Sequence, residues 1–260
     1  MSEAAKDIWA AMRKEASEVA SSEPALASFM SEMILTHKSF GSALSFNLAM
    51  RLDSPVVGAL LLRQTILEAY DDEPDLLDAA LADIKAVYER DPAAKRHSTP
   101  FLYFKGFLSI QSYRVGNWLW RHGRRDLAIY LQNQISIVFG VDINPAATMG
   151  RGLMFDHATG IVIGETAVVG DDVSILQDVT LGGTGKEDGD RHPKIRSGVM
   201  IGAGARVLGN IVVGECAKIG AGSVVLRDVP AHSTVTGVPA KLVGQSRAIP
   251  SKEMDQICGI

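Results

Sequence analysis

Five polar residues stand out for the chemistry their types allow: Asp142, Asp156, His157, Arg191 and His192. An imidazole such as His157 can take a proton from a hydroxyl at neutral pH, the task of a general base. A carboxylate beside it would fix the tautomer and stabilise the imidazolium. Asp142, fifteen residues upstream, is a candidate for that place; its plainer reading is a corner or capping aspartate. Arg191 and His192 lie in a stretch, 183–194, that also holds Gly183, Gly185 and Gly189. A planar guanidinium there suits a carboxylate, which it grips through two parallel hydrogen bonds; the alternative is a solvated loop with ordinary charges. Cys216 and Cys258 form no CxxC pair and no Cys/His cluster with zinc spacing, so no metal or disulfide is expected, and neither is an expected nucleophile, since Cys216 sits in a repeat position beside a small inward residue and Cys258 in the tail.

These residues need a scaffold. The chain has 260 residues, 47% of them hydrophobic and 22% charged, with a net charge of -4. That is enough apolar material for a core, and it gives no electrostatic reason to expect nucleic acid as a partner. The first residues lack the basic and apolar regions of a signal peptide. The longest apolar stretch, 127–141, is interrupted by Gln132, Asn133 and Gln134, so no membrane span is expected. A soluble, cytoplasmic protein is the simplest reading.

Two grammars divide the sequence. Residues 1–140 read as an α-helical domain: Met33, Ile34, Phe40, Leu44, Leu48, Val57, Leu60 and Leu61 recur at helical spacing. Asp53-Ser54-Pro55 reads as a helix start. Glu73-Pro74 and Asp91-Pro92 read as helix boundaries, because the residue before proline avoids the helical region. Two further helices are expected over 100–140, broken near His122-Gly123.

From 141 to 244 the period is six. Apolar residues lead each hexad at Ile143, Met149, Phe155, Ile163, Val169, Ile175, Leu181, Ile195, Ile201, Val207, Val213, Ile219, Val225 and Ala231. Glycine follows the leader in seven hexads, and the fifth position is apolar or small. Neither a strand nor a helix sustains that period; a hexapeptide solenoid does, with three hexads per triangular coil and coils stacked about 4.8 Å apart. The leaders should face inward and the glycines should permit the corner dihedrals. Interruptions at 161–162 and 183–194 should mark where the chain leaves the prism. Residues 245–260 read as a polar, flexible tail. The fold class is therefore α+β in separate parts, a helical domain followed by a parallel β-helix.

Several segments carry a family likeness: DINPAA at 142–147, DHATG at 156–160, LGGTGK at 181–186, DRHPKI at 190–195 and GVPAK at 237–241. The hexad repeat resembles the hexapeptide acyltransferases, whose solenoids are left-handed. The DHATG and DRHPKI segments resemble the serine O-acetyltransferase family within them. The resemblance implies acetyl transfer from acetyl-CoA, a co-substrate rather than a resident cofactor, to the hydroxyl of L-serine. It implies His157 as base with Asp142, and Asp91, Asp156, Arg191 and His192 around the amino acid. It implies coenzyme A along the solenoid, with Gly183, Ala203, Gly204 and Ala221 near the pantetheine arm and Lys218 and Lys241 near the phosphates. It further implies inhibition by L-cysteine, a trimer or dimer of trimers, and capture of the C-terminal Ile260 by O-acetylserine sulfhydrylase. A sugar acetyltransferase would not need the DRHPKI loop. A β-helix carbonic anhydrase would need three suitably spaced histidines, which His157, His192 and His232 are not.

Overall fold

The computed structural model describes residues 3–185, 188–245 and 248–258. The first half is helical: α1 (Glu3–Ser22), α2 (Ala27–Met30), α3 (Phe40–Arg51), α4 (Ala59–Asp72), α5 (Asp75–Arg90), α6 (Ser98–Tyr103), α7 (Lys105–Arg121) and α8 (Arg125–Phe139). The boundaries expected at Pro74 and Pro92 are present, and Gly140, left-handed at φ 67, ends α8. Two expectations need correction. Helix α4 starts at Ala59, not at Pro55; Asp53 still caps it, its Oδ1 accepting from the Ala59 amide at 2.7 Å. Leu60 and Leu61 consequently face outward, 74% and 54% exposed.

The second half is a solenoid of short strands: β1 (Asp142–Ile143), β2 (Thr148–Met149), β3 (Met154–Phe155), β4 (Val162–Ile163), β5 (Val168–Val169), β6 (Ser174–Ile175), β7 (Thr180–Gly182), β8 (Lys194–Ile195), β9 (Met200–Ile201), β10 (Arg206–Leu208), β11 (Val212–Val213), β12 (Lys218–Ile219), β13 (Val224–Val225), β14 (Ser233–Thr236) and β15 (Lys241–Gln245). They form three sheets, in the orders β1-β4-β7-β10-β13, β11-β8-β5-β2 and β15-β14-β12-β9-β6-β3. All pairings are parallel except β14 with β15. This is a left-handed parallel β-helix, three strands to a coil. Where no loop intervenes, pairing advances by three hexads, as in Val207 with Val225. The leaders from Ile163 to Val225 are at most 2% exposed and fill the prism, each burial contributing about 1.5–3 kcal/mol. Ala231 breaks the ladder: it is exposed, and Val229, bridged to Val213, fills its place because the last coil is two residues short.

The glycines that follow the leaders work differently from expectation. They have ordinary dihedrals, and what excludes a side chain there is the next coil: a Cβ on Gly202 would lie 2.6 Å from the Ala221 amide nitrogen. The left-handed corner positions come two residues later, and several are not glycine, among them Asp172, Asp178, Cys216 and His232. The first interruption is also displaced. Ile161 and Val162 belong to the prism wall, and the two extra residues form the corner at 156–160.

A buried carboxylate joins the halves. Asp83 of α5, fully buried, accepts from Arg114 and Gln111 of α7 at 2.7 and 2.8 Å and from the Leu153 amide at 2.8 Å. Gly106, in the first turn of α7, packs directly on the Phe155 carbonyl oxygen, leaving no room for a Cβ. Beyond β15 the chain returns across the solenoid through α9 (Pro250–Glu253). Ser251 is buried there, and its carbonyl accepts from the Ser174 hydroxyl at 2.8 Å. Met254 packs against the small cluster of Val87, Ala94 and Met154. Ile260 lies outside the described residues. No helix among the described residues is long and apolar enough to cross a membrane.

Candidate functional site

The corner between β3 and β4 presents His157. Asp156 still pairs with the neighbouring coil, its amide donating to Ile175 O at 2.9 Å. His157 and Ala158 then both adopt left-handed conformations, φ 55 and 59. Each costs about 1–3 kcal/mol in an L-residue and persists only where its surroundings demand it. Here Ala158 is fully buried, and the flanks are pinned by Asp178 N to Thr159 O (2.7 Å) and Gly160 N to Gly140 O (2.8 Å). The tight corner throws the His157 side chain outward, 75% exposed.

The ring overlooks a cavity of about 500 Å³ between the solenoid, the end of α5 and the α6–α7 junction. Its polar lining is Asp91, Lys105, Asp156 and His157; Val87, Phe104, Phe107, Met154 and Phe155 form apolar walls. Asp156 Oδ1 lies 3.8 Å from His157 Nε2. Burial raises the Asp156 pKa above the usual carboxylate range; His157 opposes the shift and Asp91 adds to it. Two carboxylates share this half-enclosed, partly apolar cavity with a single lysine, Lys105, which leaves room for a second cation, and an ammonium group with hydrogens to share fits.

The other expected residues are spread over the solenoid. Asp142 opens β1; its amide bonds to Ile161 O just beyond the histidine corner at 2.9 Å, and its carboxylate accepts from Gln132 Nε2 at 2.6 Å. Ala203, Gly204 and Ala221 occupy later turns of the corner file that begins at His157. Gly183, Arg191 and His192 lie on a different corner of the prism, at the base of the extruded loop. His192 packs over Gly164, and its Nδ1 accepts from the Thr166 amide at 3.2 Å, which leaves the ring proton on Nε2. Burial, then the Arg191 cation, lower the His192 pKa, so the ring is a neutral donor. Arg191 pairs with Glu165 at 2.7 Å. Lys218 is buried under the returning chain, donating to Ile257 O at 2.7 Å and Asp255 at 3.1 Å, and Lys241 begins the exposed β15.

The family model for the serine acetyltransferase N-terminal region matches residues 8–112, and the bacterial transferase hexapeptide model matches residues 192–227. The serine acetyltransferase of Escherichia coli is 59% identical over 250 residues, spanning 96% of this chain and 92% of that protein. The chain belongs to the serine acetyltransferase family. A serine acetyltransferase structure in complex with cysteine superposes with a TM-score of 0.96 at 58% identity, covering 97% of this chain and 99% of that one. Another, in complex with CoA, gives 0.88 at 58% identity, covering 91% and 99%.

For a member of the serine acetyltransferase family, the cavity adds residues that sequence reasoning missed. Lys105 starts α7 and donates to Thr159 Oγ1, two residues beyond His157. Phe104 and Gly106 complete the junction. Their only sequence signal was helical, because neither Phe104, where α6 and α7 break, nor either of its immediate neighbours is a proline or glycine. Among the described residues, Asp72, Glu73 and His122 come close enough together to share a cation, but none lines the cavity, and Arg121 occupies both Glu73 oxygens.

Proposed function

We propose that this chain transfers the acetyl group of acetyl-CoA to the hydroxyl of L-serine, releasing O-acetyl-L-serine and CoA, the first step of cysteine biosynthesis. The observation that carries the proposal is the convergence of His157, Asp156 and Asp91 on one cavity, in a chain so close to the serine acetyltransferases. His157 removes the hydroxyl proton as the serine oxygen attacks the thioester carbon. The tetrahedral intermediate collapses with loss of the CoA thiolate, which recovers a proton from the imidazolium or solvent. No covalent acetyl-enzyme is required. Asp142, which opens the strand beside the same corner, offers its carboxylate to orient the base. Asp91 and Asp156 hold the serine ammonium.

Arg191 and His192 hold the serine carboxylate, a fork and a neutral donor suited to it. They stand on a different corner from His157, so the site is completed between copies of the chain in a trimer or dimer of trimers. Coenzyme A runs along the small-residue corner of Ala203, Gly204 and Ala221 and past Gly183, with Lys241 toward its phosphates and Lys218 joining it when released from Asp255 and Ile257. L-Cysteine, bound in a related structure, competes here at the amino-acid site. Ile260 reaches O-acetylserine sulfhydrylase. The cytoplasm is the compartment, a reading supported by two unpaired cysteines, Cys216 and Cys258.

The test is thiol release from acetyl-CoA with and without L-serine. Release should depend on serine, and His157→Ala should lower kcat about 10²–10⁴-fold while CoA binding persists. Serine-independent release, or full turnover without the imidazole, would overturn the assignment.

A further inference from the structure

Among the described residues, Asp91 is the one carboxylate of the cavity that the helical half supplies. It caps α5 in an extended conformation, φ -97 and ψ 111, its amide closing the last helical bond to Val87 O at 2.9 Å and its Oδ1 accepting from the Ala93 amide at 2.8 Å, so its place is set by where the end of α5 is docked. The residue before it is tied down thoroughly. Arg90 has a side chain only 3% exposed. Its Nη1 donates to Gly152 O at 2.9 Å and to Ser174 Oγ at 3.2 Å, and its Nη2 donates to Asp172 Oδ1 at 2.8 Å. These acceptors belong to the first two coils of the solenoid, the same coils that carry Asp156 and His157.

Burying a guanidinium is an expensive way to dock a helix, since an apolar side chain would do so without desolvating a charge. Arg90 Nε even remains without a partner. What the planar fork supplies instead is direction: three acceptors at fixed angles set the position and rotation of the last turn of α5. Ser174 extends the arrangement. Fully buried, it accepts from Arg90 while its hydroxyl donates to Ser251 O of α9 at 2.8 Å.

We propose that Arg90 is a positioning residue for the amino-acid substrate: by locking the end of α5 onto Gly152, Asp172 and Ser174, it holds the Asp91 carboxylate in register with Asp156 and His157, and through Ser174 it ties that register to the C-terminal segment. The inference rests on Asp91 and Asp156 binding the substrate ammonium.

The test uses full-length variants with steady-state kinetics in both substrates and thermal unfolding alongside. Arg90→Met should raise KM for L-serine about tenfold, leaving kcat and KM for acetyl-CoA within about threefold, because a misplaced carboxylate weakens binding of one substrate only. Arg90→Lys keeps the charge without the fork and should fall between. Ser174→Ala and Asp172→Gly each remove one partner and should raise serine KM about threefold; glycine suits the left-handed backbone at 172, φ 56. If Arg90→Met does not fold, these last two decide. An unchanged serine KM in Arg90→Met, or in both of the milder variants when it does not fold, would overturn the proposal, as would a loss confined to kcat. Asp91→Asn in the same assay separates the two claims. Silence there sinks the ammonium reading; a raised KM there with a silent Arg90 set sinks only the positioning role.

Discussion

At the scale of single residues, the site is built from groups held away from their comfortable states. Asp156 is the clearest case. Burial raises its folded-state pKa, so between the unfolded and folded values the native state binds more protons than the unfolded chain. Stability therefore falls as pH rises through that window, and at neutral pH the charged carboxylate is a net cost to the fold. Asp156→Asn should raise the melting temperature at pH 7, and the gain should vanish below the unfolded carboxylate pKa. A variant less stable than the parent at pH 7 would contradict this. The same variant should bind serine poorly, because the charge that strains the fold is what the substrate ammonium neutralises. The carboxylate was readable in the sequence as the neighbour of His157; its strain was not, since that depends on Phe155 and α7 closing over it.

At the scale of elements, the cavity exists because helix and solenoid meet without a gap. Gly106 lets the first turn of α7 rest on the Phe155 carbonyl, one residue from Asp156. Gly106→Ala should therefore push α7 outward, costing about 1–3 kcal/mol in urea unfolding. It should also lower the activity of the folded fraction, because Lys105 and Phe104 move with the helix. Unchanged stability and activity would mean that the contact is slack. The hexad period announced the solenoid and its inward leaders because a repeated coil writes the same constraint every six residues. The α6–α7 junction was not announced. A close approach between distant segments leaves one glycine in the sequence, and a lone glycine in a helix has many readings.

At the scale of the whole molecule, His157 and the Arg191–His192 pair stand on different corners of one prism. If copies of the chain complete the site between them, two inactive variants should complement. Co-expressed His157→Ala and Arg191→Ala chains, mixing at random, should regain about a quarter of the parental activity, because a quarter of the interfaces then join an intact histidine to an intact arginine. No recovery in verified mixed oligomers would place the complete site within one chain. The returning segment with Ser251 and Met254 is likewise a feature of the whole. Its contacts with Ser174, Val87 and Met154 join residues 77–167 positions apart.

By itself, the sequence determined what is periodic or local: the coil of three hexads, the proline-marked ends of α4 and α5, and the chemical types at 156, 157, 191 and 192. Only the tertiary structure decided which of them meet. It moved the first interruption onto the histidine corner, replaced Ala231 with Val229 in the core, and carried Asp91 from the helical half into the cavity. The physical reason is that period and local preference act over a few residues, whereas burial and close approach depend on which distant surfaces are pressed together.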